Sequence, residues 1–324
     1  MKDVIRRTIF GMDTASAVVL HPMMRNRLGQ FRIVSFLFHA LLTEKEIDEG
    51  DADPQQKTTP EFFERFLLGL SKRGFKFLSA AQLESPQELR GDYALITFDD
   101  GYFNNTRCLP VIERLNVPVV IFMTSLNIVH SRKFWWDVVF SQMKGRGHSV
   151  ASIRERQETI KKLERRIADE RLVAEFGADA FIPRTDADRP LTIAEARQLA
   201  MHPLVTVGNH TSTHEILPGR ETSRTCAEID EAQRCLKDFT GRLPTTFAYP
   251  SGAFSDDVAR CVERSGLQFA FTTQRGIIDE TGLRSRFFLR RNLIDGRDSI
   301  EAQILRAWSP LSLSNMLQPR RSYS

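Results

Sequence analysis

Short apolar runs alternate with longer amphipathic stretches along most of the chain. Phe31 to Phe38 (FRIVSFLF) reads as a first buried strand, ending at His39. Residues 43–58 are acidic and polar and read as a loop. Thr59-Pro60-Glu61 then has the form of a helix start, with Phe62, Phe63, Phe66 and Leu67 on one face. A short strand at Phe75 to Ser79 and a helix from Ala81 to Arg90 follow. Ala94 to Phe98 is an apolar strand that runs into Asp99-Asp100-Gly101. A helix over about 104–115 leads to Val119 to Met123, a second strongly buried strand. Residues 126–190 break this rhythm: Phe134-Trp135-Trp136-Asp137 opens a segment whose charged stretch, Arg154 to Phe176, reads as a helical insertion with a solvated face. Alternation resumes with a helix from Thr192, a strand at Leu204 to Gly208 ending at Asn209-His210, and a long helix over about 220–239. Strands at Thr245 to Tyr249, Gln268 to Thr273 and Phe287 to Leu293 follow, with helices at Asp256 to Ser265 and near 299–308. Strand–helix alternation without a dinucleotide glycine fingerprint predicts an α/β fold of barrel type.

This pattern divides the chain into a helical arm at 1–30, a barrel at 31–295 containing the insertion at 126–190, and a C-terminal helix and tail at 296–324. Its 324 residues suffice for one large α/β domain with an insertion. The net charge of +4 comes from scattered basic residues, which fits a solvated surface and makes no case for nucleic acid. Cys108, Cys226, Cys235 and Cys261 show no metal-type spacing, so buried free thiols and a reducing compartment are expected. No run approaches the ~20 apolar residues of a membrane helix. The N-terminal basic residues and the short Ala15 to Leu20 run make a poor signal peptide, so a cytoplasmic location is expected. Their mixture leaves room for peripheral membrane contact through the arm. Nothing bears on oligomeric state.

Two clusters carry candidate chemistry. Asp99 and Asp100 point to opposite sides of their strand and can do different jobs, although a strand ending in an Asp-Gly turn has the same pattern. His210 and His214 are four apart, as two metal ligands on one helical turn would be; a polar helix N-terminus capped by Thr211 or Ser212 is the alternative. Both clusters follow buried strands and so fall at the same end of the sheet. Two imidazoles and one carboxylate form a three-ligand site with open positions, the catalytic rather than structural pattern. Zinc fits this set, as do other first-row divalent ions. The second carboxylate would act as base towards a metal-bound water.

Thr97-Phe98-Asp99-Asp100-Gly101 and His210-Thr211-Ser212-Thr213-His214 resemble the first two motifs of the polysaccharide deacetylases, the NodB-homology or carbohydrate esterase family 4 group. Phe247-Ala248-Tyr249-Pro250-Ser251-Gly252 resembles the third. The resemblance implies a distorted (β/α)7 barrel and metal-dependent hydrolysis of an N-acetyl or O-acetyl group from a sugar, oligosaccharide or polysaccharide. It implies Asp99 as catalytic base, Asp100, His210 and His214 as metal ligands, and the Ser251 N–H as oxyanion donor.

Two positions depart from the pattern. Ala248 stands where family members often carry a base-tethering Arg, and Leu289-Arg290-Arg291-Asn292 where they place a late catalytic His. Both departures resemble the poly-N-acetylglucosamine deacetylase branch. There a His after the first strand takes over as acid, which implies His39, with Arg291 as replacement tether. A strand-end histidine and an ordinary core-edge arginine are the alternatives. Trp135 and Trp136 read as anchors of the insertion, with sugar stacking as the second possibility. Two further functions stay open: a glycan-binding barrel without catalysis, and hydrolysis of another amide or ester on a nucleotide-linked or lipid-linked sugar.

Overall fold

The computed structural model describes residues 30–50, 53 and 58–308. The arm at 1–29 and the tail beyond 308 lie outside the described residues. Among the described residues eight strands form one parallel sheet: β1 (Phe31–Phe38), β2 (Lys76–Phe77), β3 (Gly91–Phe98), β4 (Val119–Met123), β5 (Val205–Asn209), β6 (Thr246–Ala248), β7 (Phe269–Phe271) and β8 (Asn292–Leu293). Their spatial order is β7-β6-β5-β4-β3-β1-β8, with β2 paired to β3. The sheet curls. The stretch entering β8 pairs with β7 at Leu289 and with β1 at Phe36↔Asn292, linking its two ends. This is the distorted (β/α)7 barrel of NodB type.

Alternation along the strands separates two cores. Ile33, Leu95, Val120, Phe122, Phe271 and Leu289 fill the inside of the curl. Val34, Phe36, Phe38, Ile96, Phe98 and Ile121 face the surrounding helices. Successive strand side chains point to opposite faces, so Leu95, Thr97 and Asp99 share the inward side. A sheet buried on both faces explains why β1, β3 and β4 read as nearly continuous apolar runs.

The helices are α1 (Glu44–Glu49), α2 (Pro60–Lys72), α3 (Leu109–Leu115), α4 (Ser125–Val129), α5 (Trp135–Gly145), α6 (Val150–Lys161), α7 (Arg165–Phe176), α8 (Ile193–Met201), α9 (Thr222–Thr240), α10 (Asp256–Arg264), α11 (Glu280–Arg284) and α12 (Ile300–Trp308). Thr59 caps α2 through Phe62 N, with Pro60 in the first turn, as its sequence predicts. Several expectations fail for local reasons. The segment expected to be a loop contains α1, because Thr43 and Glu46 make a complete capping box. The helix expected at Ala81 to Arg90 is instead two 3-10 turns, divided where Pro86 restricts Ser85. The strand expected at Phe287 to Leu293 is regular only over Asn292–Leu293, since its earlier half turns across to β7.

The charged stretch Arg154 to Phe176 spans most of α6 and all of α7, broken at 162–164. With α5 these helices bury their own apolar cluster, including Trp135, Val139, Phe140, Ile153, Ile160 and Leu172. The charged residues cover its outer side.

Cysteine usage also differs from expectation. Cys226 on α9 and Cys261 on α10 form a disulfide, with Cα atoms 5.0 Å apart, and only Cys108 and Cys235 are free thiols. The two helices pack side by side and bring together residues 35 apart in sequence, which spacing alone does not reveal. The cysteines therefore no longer argue for a reducing compartment. No described helix is long and apolar enough to cross a membrane.

Candidate active site

The mouth at the C-terminal ends of the strands holds His39, Asp99, Asp100, His210, His214 and Ser251, and Arg291 reaches Asp99 there. Asp99 and Asp100 follow β3 directly and are almost fully buried. Asp100 has φ 76°, a left-handed conformation in which a short polar side chain is tolerated. Gly101 continues that turn at φ 83°, and a Cβ there would lie 3.2 Å from the Met123 backbone. The Asp-Gly turn is therefore real, and it presents the two carboxylates to one cleft.

His210 and His214 lie on the loop after β5. The expected helical turn is absent: Thr211 and His214 both have positive φ, and α9 begins only at Thr222. Neither Thr211 nor Ser212 therefore caps a helix. The loop is braced instead by neighbouring elements. His210 N donates to Met123 O, Ser125 N to Thr211 O, and Leu126 N to Ser212 O. Asn209 Oδ1 accepts from Thr211 N, and Glu228 accepts from both Thr213 N and its hydroxyl.

The donor set fits a divalent ion. Asp100 Oδ1 lies 3.5 Å from both His210 Nε2 and His214 Nε2, and the three ligand atoms lie within 4.8 Å of one another. A tetrahedron with ~2.0–2.1 Å bonds has edges of about 3.4 Å, so little movement is needed. His210 Nδ1 donates to the Ala248 carbonyl at 2.7 Å, which turns its Nε2 towards Asp100. Position 248 thus acts through its backbone.

Burial and neighbouring charge act differently on the three groups. Burial works against the ionised Asp100, but the His210 hydrogen bond and the nearby His39 and His214 hold it at about 2. Burial, reinforced by His210, lowers His214 to about 3, so its imidazole stays neutral. Burial also opposes charge on His210, yet Asp99 and Asp100 outweigh it and raise its pKa.

Arg291 is fully buried and forms a two-point ion pair with Asp99: Nη1 to Oδ1 at 2.6 Å and Nη2 to Oδ2 at 2.8 Å. Its Nε donates to the Thr272 carbonyl at 3.0 Å, fixing the guanidinium plane. Burial penalises charge on Asp99, but Arg291 and His210 hold its pKa below the ordinary carboxylate value. Asp99 Oδ2 is 3.9 Å from His210 Nε2, beside the Asp100–His210–His214 cluster.

His39 and Ser251 line the same cleft, of about 390 Å3, as Asp99, Asp100, His210 and His214. The His39 carbonyl accepts from Asn105 Nδ2, which holds the end of β1. Ser251 sits at φ 55° in the turn after β6, and Gly252 follows at φ 68°. A Cβ at Gly252 would fall 2.0 Å from Thr273 Oγ1, so only glycine fits there.

The insertion supplies part of the cleft wall through Trp135, Trp136, Gln157, Glu158 and Lys161, with Asp53 and Arg297 also lining it. Sequence reasoning missed the last five; nothing in a charge-laced helix announces which turn faces a cleft. Trp136 has one face stacked on Phe134, and Trp135 is only 9% exposed, so both are anchored in the packing of α5.

Fold and site together define a NodB-type barrel with a carboxylate–imidazole cluster at its mouth. The sequence profile of the family described as polysaccharide deacetylase matches residues 87–153 and 177–270. The chain belongs to that family. The profile passes over residues 154–176, most of α6 and all of α7. A Bacillus subtilis protein named as a candidate polysaccharide deacetylase, YxkH, is 19% identical over 219 residues, which is 66% of this chain and 58% of that protein. The chain thus spans less than two thirds of the length of that relative. Among solved structures, the Streptococcus pyogenes deacetylase PplD in complex with acetate superposes with a TM-score of 0.59 at 16% identity, covering 86% of this chain and 99% of that one. IcaB from Ammonifex degensii gives 0.59 at 18% identity, covering 87% and 99%. These likenesses concern the fold.

Proposed function

We propose that the chain is a metal-dependent deacetylase that hydrolyses an acetyl group from an acetylated sugar, oligosaccharide or polysaccharide. The observation that carries this reading is the Arg291–Asp99 ion pair held beside Asp100, His210 and His214 in one open cleft. Asp100, His210 and His214 would hold a divalent ion, which would supply Lewis acidity and a water acidic enough to be deprotonated near neutral pH.

The chain's own groups then have distinct tasks. Asp99, kept ionised and immobile by Arg291, accepts the proton of the attacking water. The Ser251 N–H, in the turn after β6, donates to the developing oxyanion. His39, on the β1 side of the cleft, delivers a proton to the departing nitrogen or oxygen. Acetate and the free amino or hydroxyl sugar leave.

Acetate release from a panel of N- and O-acetylated oligosaccharides, nucleotide sugars and lipid-linked sugars tests the reading, with and without added Zn2+, Co2+ or Ni2+. Release that depends on metal and on Asp99 supports it, and the best substrate in the panel names the sugar class. Glycan retention with no acetate released under any metal would instead favour a binding barrel.

A further inference from the structure

The two imidazoles of the triad are held differently. His210 is oriented by a hydrogen bond from its second ring nitrogen, whereas among the described residues nothing hydrogen-bonds His214 Nδ1. A ligating histidine usually needs such a partner to fix its ring plane. His214 instead packs against Trp136 in a T-shaped pair, with ring centres 4.7 Å apart and planes at 64°.

Trp136 is itself clamped. Its Nε1–H donates to the Tyr102 hydroxyl at 2.7 Å, and that hydroxyl donates onward to Asp137 Oδ2 at 2.5 Å. Phe134 stacks on the indole at 4.8 Å with planes at 11°, and the Trp136 carbonyl accepts from Gln157 Nε2 at 3.1 Å. Tyr102 and Asp137 are 0% and 4% exposed, so water does not compete for these bonds. Tyr102 also lies two residues after Asp100. One rigid chain of contacts therefore runs from the loop bearing Asp100, through the first turn of α5, to the loop bearing His214.

We propose that Trp136, locked by Tyr102 and Asp137, is a positioning residue that holds His214 at ligand distance from Asp100. The first turn of α5 then completes the metal site rather than merely covering it. This rests on the metal-site reading above.

The test uses the full chain stripped of metal, with Zn2+ affinity measured by competition with a chromophoric chelator and urea unfolding of the metal-free protein run in parallel. Trp136→Phe keeps a ring and loses the N–H; Tyr102→Phe keeps the ring and loses the hydroxyl. Each is expected to weaken Zn2+ binding about 10–100-fold, the usual range for loss of a ligand's support. Phe140→Leu, in the apolar cluster of α5 and outside the cleft lining, is expected to stay within about threefold of the parent. Zn2+ affinity unchanged in Trp136→Phe overturns the proposal, whether the variant shows only a lower urea midpoint (a packing role) or only a higher KM for sugar (a substrate platform). If Tyr102→Phe does not fold, Trp136→Phe decides alone. If the parent chain binds no divalent ion, the metal reading falls and this proposal with it; if the parent binds and the variants match it, only the positioning role falls.

Discussion

Replacing Arg291 by Met tests the most buried charge in the cleft. The guanidinium is fully buried, its two terminal nitrogens both reach Asp99, and Nη1 also lies 3.3 Å from the Thr97 hydroxyl. Met fills much of the same volume and leaves Asp99 as an uncompensated carboxylate. Breaking one side of a buried pair costs about 3–5 kcal/mol. That is a large part of the 5–15 kcal/mol that holds an ordinary domain together. The sign of the pH dependence follows from the same contacts. In the parent chain the folded pKa of Asp99 is lowered, so its contribution is present above the unfolded carboxylate pKa and fades as pH falls through the folded value. Without Arg291, burial dominates and the folded pKa rises above the unfolded one. Arg291→Met should therefore lose stability as pH rises through that raised value, and the gap to the parent should narrow at acidic pH, where Asp99 takes up a proton. Urea unfolding of both metal-free proteins at pH 5 and pH 8 measures this, and the acid limb of kcat/KM should move upward with it. Asp99→Asn combined with Arg291→Met should recover part of the loss. An equal stability deficit at both pH values, with an unmoved acid limb, would refute the reasoning.

Other outcomes follow from the site. Asp99→Asn should retain Zn2+ while turnover falls by about 10²–10⁴ or more, read by calorimetry and acetate release. His210→Ala should lose the ion itself, and a strong chelator should silence the parent chain reversibly; full activity in both variants would sink the metal mechanism. His39→Gln should lower kcat with little change in metal affinity, and less so on substrates whose leaving group needs no proton. Gly252→Ala should cost about 1–3 kcal/mol by urea unfolding, because it combines a left-handed φ with a clash at Thr273. Denatured without reductant the chain should expose two titratable thiols, and after reduction four; native Cys108, pushed up to about 12 by burial, should resist thiol reagents.

Much of the barrel could be read from hydrophobic pattern, because strands buried on both faces leave unbroken apolar runs and their helices carry one-sided stripes. Where local chemistry was subtler the reading failed: the Thr43–Glu46 capping box outweighed an acidic composition, and Pro86 cut a helix that periodicity supported. The pairing of Cys226 with Cys261 depends on two helices lying side by side, which spacing does not encode.

The candidate site divides along the same line. Sequence by itself determined which side chains face inward: parity along β3 places Asp99 with Leu95 and Thr97, and the motifs after β3 and β5 bring Asp100, His210 and His214 to one end of a parallel sheet. Only tertiary structure decided how they are held. The His pair acts from a braced loop of left-handed turns rather than a helix. The Ala248 carbonyl sets one imidazole and Trp136 packs against the other. Arg291 arrives from the stretch that links the two ends of the sheet to grip Asp99 from 192 residues away. Side-chain direction is a local consequence of backbone period, whereas these contacts exist only once the sheet has curled and the insertion has packed against its mouth.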